Sequence, residues 1–178
     1  QITGMFKEGL ENLEVAASAA PQPSALPEGV REIEAHGVKY LGVRKTMQIE
    51  DAMEGMSAFF EEAYGKIGAH LGPKMAEAGI PVGLTWTWDE EAGTTDMAAA
   101  IPLQPAPELG EPNETIKTPA GNLHVYDGLA VVDYYGAYEQ MDGAYNELFA
   151  WLGKQGKEGV MPAVEQYVTD PAEQPDTS

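Results

Sequence analysis

The chain has 178 residues, with 29 acidic against 10 basic side chains and a formal net charge of −19. Such an acidic surface argues against direct nucleic-acid binding, which needs basic groups to displace counterions from phosphates. Cysteine is absent, which excludes disulfide scaffolds, thiolate metal sites and cysteine nucleophiles. No apolar run approaches the ~20 residues of a membrane-spanning helix, and residues 1–11 lack the basic start and apolar stretch of a signal peptide. The expectation is an acidic, cytoplasmic, globular protein whose length suits one main domain.

Residues 1–20 read as a short helix, with Met5, Phe6, Leu10 and Leu13 on one side. Residues 21–29, carrying Pro21, Pro23, Pro27 and Gly29, read as a linker. A helix this short is marginal in water alone. It either packs on the domain at 30–178 or ends something upstream, and the start at Gln1 fits a fragment or a processed product fused to another domain.

Within the main domain Val38 to Thr46 is β-rich. From Glu50 to Leu71 the apolar positions Met53, Met56, Phe60, Ala63, Ile67 and Leu71 recur at spacings of three and four, a helical face. Pro73 and Gly79 punctuate its exit. Val82, Leu84, Trp86 and Trp88 alternate with small or polar residues, as in a strand. After an acidic turn a second alternation follows at Met97, Ala99, Ile101 and Leu103. A Pro-rich acidic loop, 104–113, closes this half. Asp127-Gly128 between two β-rich triplets is a hairpin signal. Tyr138, Met141, Tyr145, Leu148 and Leu152 make another helical face, and Met161 to Thr169 reads as a strand.

The two halves correspond at a constant spacing of 81 residues. Gly55 matches Gly136, Ala63-Tyr64 matches Ala144-Tyr145, Leu71-Gly72 matches Leu152-Gly153, and Pro81 matches Pro162. An ungapped register across helix, exit and strand indicates a duplicated β-α-β-β unit. The expected fold is therefore α+β. Two such modules join in one antiparallel sheet, with both helices on one face and a concave ligand trough on the other.

Catalytic motifs are missing. His36, His70 and His124 are scattered, without the spacing of a metal site. Gly55-Met56-Ser57-Ala58-Phe59 fails the nucleophile elbow at Phe59, and the glycines at 65, 68 and 72 lack dinucleotide-binding spacing. Met53 and Met56 read as core. No cofactor and no metal are expected. One group stands apart: Glu165 and Tyr167 share a strand face by alternation, and the repeat sets them opposite Leu84 and Trp86, with Trp88 next in line. The competing reading makes Glu165 a solvated edge residue and Trp86 core.

Tyr40-Leu41-Gly42-Val43-Arg44, Gly79-Ile80-Pro81-Val82-Gly83, Pro119-Ala120-Gly121, Tyr135-Gly136-Ala137-Tyr138 and Glu165-Gln166-Tyr167-Val168-Thr169-Asp170-Pro171 resemble the GyrI-like family. This is also known as the AraC-type effector-binding or SOUL-related domain. The resemblance covers residues 30–178 and implies two SHS2-type β-α-β-β modules. It further implies a trough that binds organic molecules, often cationic aromatic drugs or dyes, with the glutamate matched by Glu165 as the pocket's acid. One branch hydrolyses cyclopropane-bearing toxins with that glutamate and nearby aromatics, and many relatives are the effector half of a transcription regulator. The family usually continues into a final strand beyond the position of Ser178, so that strand is expected to be missing here unless residues 1–20 or another chain substitutes. The 127–128 hairpin looks like an insertion.

Two readings follow. In the first, the domain is a binding module in which Glu165 balances an organic cation, and Trp86, Trp88, Tyr135, Tyr138, Tyr167 and Leu84 form the wall. In the second, it is a hydrolase in which Glu165 is the general base and Tyr135 holds the substrate. The first is preferred, because no second acid–base residue accompanies Glu165 in these motifs.

Overall fold

The computed structural model describes residues 26–35, 37–104, 109–126, 129–136 and 140–168. The expected helix at 1–20 lies outside them, as does the linker up to residue 25. Strands β1 (Val30–Ala35) and β2 (Val38–Gln48) pair and lead into helix α1 (Ile49–Leu71). A 3₁₀ segment, Gly72–Glu77, connects it to β3 (Val82–Asp89) and β4 (Thr94–Pro102). The second half contains β5 (Glu114–Lys117), β6 (Gly121–Tyr126), β7 (Leu129–Tyr134), helix α2 (Asp142–Lys154) and β8 (Ala163–Gln166). None of the described helices is long and apolar enough to cross a membrane.

The strands form an antiparallel five-stranded sheet, in the order β1-β2-β4-β3-β8, and a three-stranded sheet, β5-β6-β7. Directly opposed residues of antiparallel strands share a face, so the registers assign each side chain. Leu41, Val43 and Ile101 lie on the face that α1 covers, where they pack with Val30 and the fully buried Ile67. On the opposite face Ile33, Ala35, Tyr40, Val82, Leu84, Ala98 and Ala100 form a second buried cluster, joined by Val38 and Trp86. Small residues allow the dense packing there. A Cβ on Gly42 would stand 2.6 Å from Ile33 Cδ1 and 2.9 Å from the Ala100 Cβ.

Helix α1 begins at Ile49, within a residue of where the apolar spacing places it. Glu50 and Asp51 in its first turn complement the helix dipole. The Ile49 N–H donates to the Gly93 carbonyl at 2.9 Å, which ties the helix start to the β3–β4 turn. That turn needs Gly93, whose φ of 66° is left-handed. The buried positions of α1 are Ala52, Ala63 and Ile67. Met53, expected in the core, is instead 72% exposed, because a residue next to Ala52 is rotated ~100° away from the buried stripe.

The α+β class, the antiparallel pairing and the two helices agree with the sequence reading, and the starts of β3 and β8, Val82 and Ala163, keep the 81-residue spacing, whereas α2 is shorter than α1 and ends at Lys154, two residues beyond the match of Leu71. In the first half β4 lies between β2 and β3. The counterparts of β2 and β3 are β7 and β8, and the described residues place no strand between them. At the repeat spacing the counterpart of β4 would start at residue 175, outside the described residues. Two strands, β1 and β5, escaped the sequence reading because each is short and mixes charged residues with apolar ones.

Candidate functional site

Strand β8 is an edge strand of the five-stranded sheet, paired with β3, and its register sets the site. Gly83 opposes Glu165 and Leu84 opposes Val164. Glu165 therefore shares a face with Gly83, which is the helix-covered face, and not with Leu84. The expected cavity common to Glu165, Tyr167, Leu84 and Trp86 is not formed: Leu84 is fully buried in the cluster on the other face, and Trp86 packs against it. The physical reason is a one-residue register difference between the halves at this strand pair. Such a slip moves every side chain to the opposite face, so Leu84 and Glu165, which match at the 81-residue spacing, lie on opposite faces of this strand pair.

On the helix-covered face three elements converge on Glu165. The Tyr145 hydroxyl, from α2, donates to Glu165 Oε1. The Tyr167 hydroxyl, just beyond β8, donates to Oε2 at 2.8 Å. The Tyr167 ring lies against Phe60 of α1, with centroids 5.7 Å apart, and Phe60 in turn contacts Tyr64 and Phe59, both at 5.6 Å. Tyr145 stacks on Phe149 at 6.2 Å. Both helices thus contribute aromatic rings around one carboxylate. Burial, reinforced by the adjacent Glu165 charge and the hydrogen bond to it, pushes the Tyr145 phenol well above its ordinary pKa. Its proton is held firmly on the donor side of the pair.

The other expected wall residues are dispersed. A bulge between Thr85 and Thr87 interrupts the alternation of β3, so Trp88 opposes Thr95 on the helix-covered face and is 46% exposed. Trp86 carries the Arg44 guanidinium 3.7 Å above its ring, and Arg44 is fixed by paired hydrogen bonds to Asp96 at 2.9 and 2.6 Å. Tyr135 is 90% exposed and borders an open cavity of about 300 Å³ with Lys117, Asn122 and Asp133. A second cavity, of about 190 Å³, lies between Val43, Lys45, Phe59 and Glu62. Neither cavity includes Glu165, which the two phenols cover. Tyr138 lies outside the described residues, as does His36. His124 bonds Thr115 at 3.2 Å and Asp133 at 2.7 Å, a tie across β5, β6 and β7. Among the described residues no three His, Asp or Glu side chains converge on a metal position.

Tyr145, Phe60 and Gly83 were not singled out as site residues from sequence. The signal for Tyr145 was present in the repeat: Tyr64 and Tyr145 match at the 81-residue spacing, and both reach from a helix to the β3–β8 pair. Tyr64 donates to the Val82 carbonyl at 3.0 Å, and Tyr145 to Glu165.

Residues 29–178 match the family model described as GyrI-like small molecule binding domain. The match spans most of the chain, which therefore belongs to the GyrI-like family and carries a small-molecule-binding domain. A comparison with curated proteins gave no match.

Proposed function

We propose, from membership of this family, that the domain holds small organic cations of aromatic character against Glu165, as a ligand-sensing or sequestering module. One observation carries the reading. Glu165 accepts bonds from the Tyr145 and Tyr167 hydroxyls, with Phe60 against the Tyr167 ring, yet it belongs to none of the ion pairs among the described residues, which join Arg44 to Asp96, Lys66 to Glu62 and His124 to Asp133. A carboxylate drawn out of water favours an opposite charge beside it. Aromatic faces around that charge add about 0.5–2 kcal/mol per cation–π contact. The net charge of −19 concentrates cations near the surface.

Hydrolysis would require Glu165 to take a proton from water. Both of its oxygens already accept bonds from hydroxyl donors, an arrangement better suited to receiving positive charge than to moving a proton. The test is calorimetric titration of the wild type and Glu165→Gln with benzyltrimethylammonium and with neopentylbenzene, a neutral compound of similar shape. The expected outcome is selective loss of affinity for the cation. Equal loss for both compounds, or none, overturns the reading.

A further inference from the structure

We infer that Gly83 is a positioning residue for this site: the absence of a side chain there creates the socket for the Tyr167 hydroxyl and so holds Tyr167 on Glu165. The inference rests on the reading of Glu165 as the centre of the binding site. Gly83 sits within β3, between β4 and β8, opposed by Ala99 on one side and by Glu165 on the other. Glycine in a strand interior weakens the strand, and it often marks a close approach by another group. The backbone of Gly83 is not left-handed, so conformational need does not explain it.

Space does. A Cβ at this position would lie 2.7 Å from the Tyr167 Oη, 3.4 Å from Phe60 Cζ and 3.5 Å from Tyr167 Cζ. The first of these distances is too short for carbon and oxygen to tolerate, whereas the other two are ordinary van der Waals contacts, so the clash is with the phenol oxygen. The phenol cannot retreat freely, because Phe60 backs its ring and Glu165 holds its oxygen. Gly83 therefore determines whether the phenol reaches Oε2, and through it how the carboxylate is presented.

This mechanism makes a sign prediction. Replacing glycine by alanine in an unstrained extended segment normally stabilises, by restricting the unfolded chain. Gly83→Ala is expected to lower the urea midpoint in the native background, and to lower it much less, or raise it, in the Tyr167→Phe background, where the clashing oxygen is gone. Benzyltrimethylammonium affinity should follow the same cycle, falling with Gly83→Ala alone and changing little when the phenol oxygen is already absent. If Gly83→Ala alone does not fold, its folding in the Tyr167→Phe background supports the assignment. Equal loss in both backgrounds, or failure to fold in both, overturns it and leaves Gly83 as ordinary sheet packing against Phe60. Glu165→Gln separates the two ideas: if that variant binds the cation normally, the binding reading fails, whereas the Gly83–Tyr167 coupling is still read from the urea midpoints.

Discussion

Tyr145 and Glu165 join the two sheets. Helix α2 rests on β6 and β7 of the three-stranded sheet, while its Tyr145 hydroxyl donates to a carboxylate on β8 of the five-stranded sheet. Hydrogen bonds to charged groups contribute about 1.5–3 kcal/mol net. Tyr145→Phe is therefore expected to lose roughly that much stability, read by urea denaturation with circular dichroism. A variant as stable as the parent would show that α2 docks without this bond.

The same phenol should govern behaviour at alkaline pH. Its pKa in the fold is raised above the ordinary value of about 10. The stability it contributes is thus present in full below that pH and is lost as pH rises toward the folded value, because the unfolded chain ionises first. Tyr145→Phe should flatten the alkaline decline in stability. Absorbance titration of the folded protein should show late-ionising phenols, with the latest missing from the variant. An unchanged titration curve would contradict the burial and charge argument.

What the sequence disclosed follows from which rules are local. Helix α1 was legible to within a residue, because apolar spacing and the Leu71-Gly72 exit are encoded in neighbouring positions. So was the β6–β7 pair, whose Tyr126↔Leu129 register encloses the Asp127-Gly128 turn signal. The choice of Glu165 and Tyr167 as neighbours also agrees with the geometry, since residues two apart on an extended segment share a side. Their relation to Leu84 and Trp86 was not legible. It depends on the register between two strands about 80 residues apart, and a shift of one residue reverses the face without altering either local pattern. Gly83 was invisible for the same reason, since its value lies in an atom from β8's extension that sequence spacing does not bring near.

The face away from α1 supplies an acid-side prediction. Arg44 hydrogen-bonds Asp96 and lowers its pKa below the usual carboxylate value, while Asp96 fixes the guanidinium over Trp86. A depressed carboxylate pKa contributes stability above the unfolded value of about 3.9 and loses it as pH falls through the folded value. Both partners are partly exposed, which limits the contribution to about 1 kcal/mol. Asp96→Asn should cost that amount at neutral pH and nearly nothing below both pKa values. Its Trp86 emission should also shift as the guanidinium loses its anchor. A constant cost at all pH values would remove the ion pair as the cause.

The sharpest check on the assignment of faces is a pair of truncations. Leu84 is fully buried in the cluster with Ile33, Tyr40 and Ala100. Leu→Ala changes at such sites cost about 2–5 kcal/mol, because the transfer energy is lost and a cavity remains. Leu84→Ala should therefore lower stability by that amount. If Leu84 instead lined an open ligand trough, its truncation would barely affect stability and would alter ligand affinity directly. Met53 is the counterpart on α1: at 72% exposure, its replacement by alanine should stay within about 0.5 kcal/mol. Urea denaturation of both variants, with cation titration of Leu84→Ala at a temperature where it remains folded, separates the alternatives. Large destabilisation with retained cation affinity places Leu84 in the core and leaves the ligand to the helix-covered face, and a stable variant with lost affinity would return the trough to the face of Trp86.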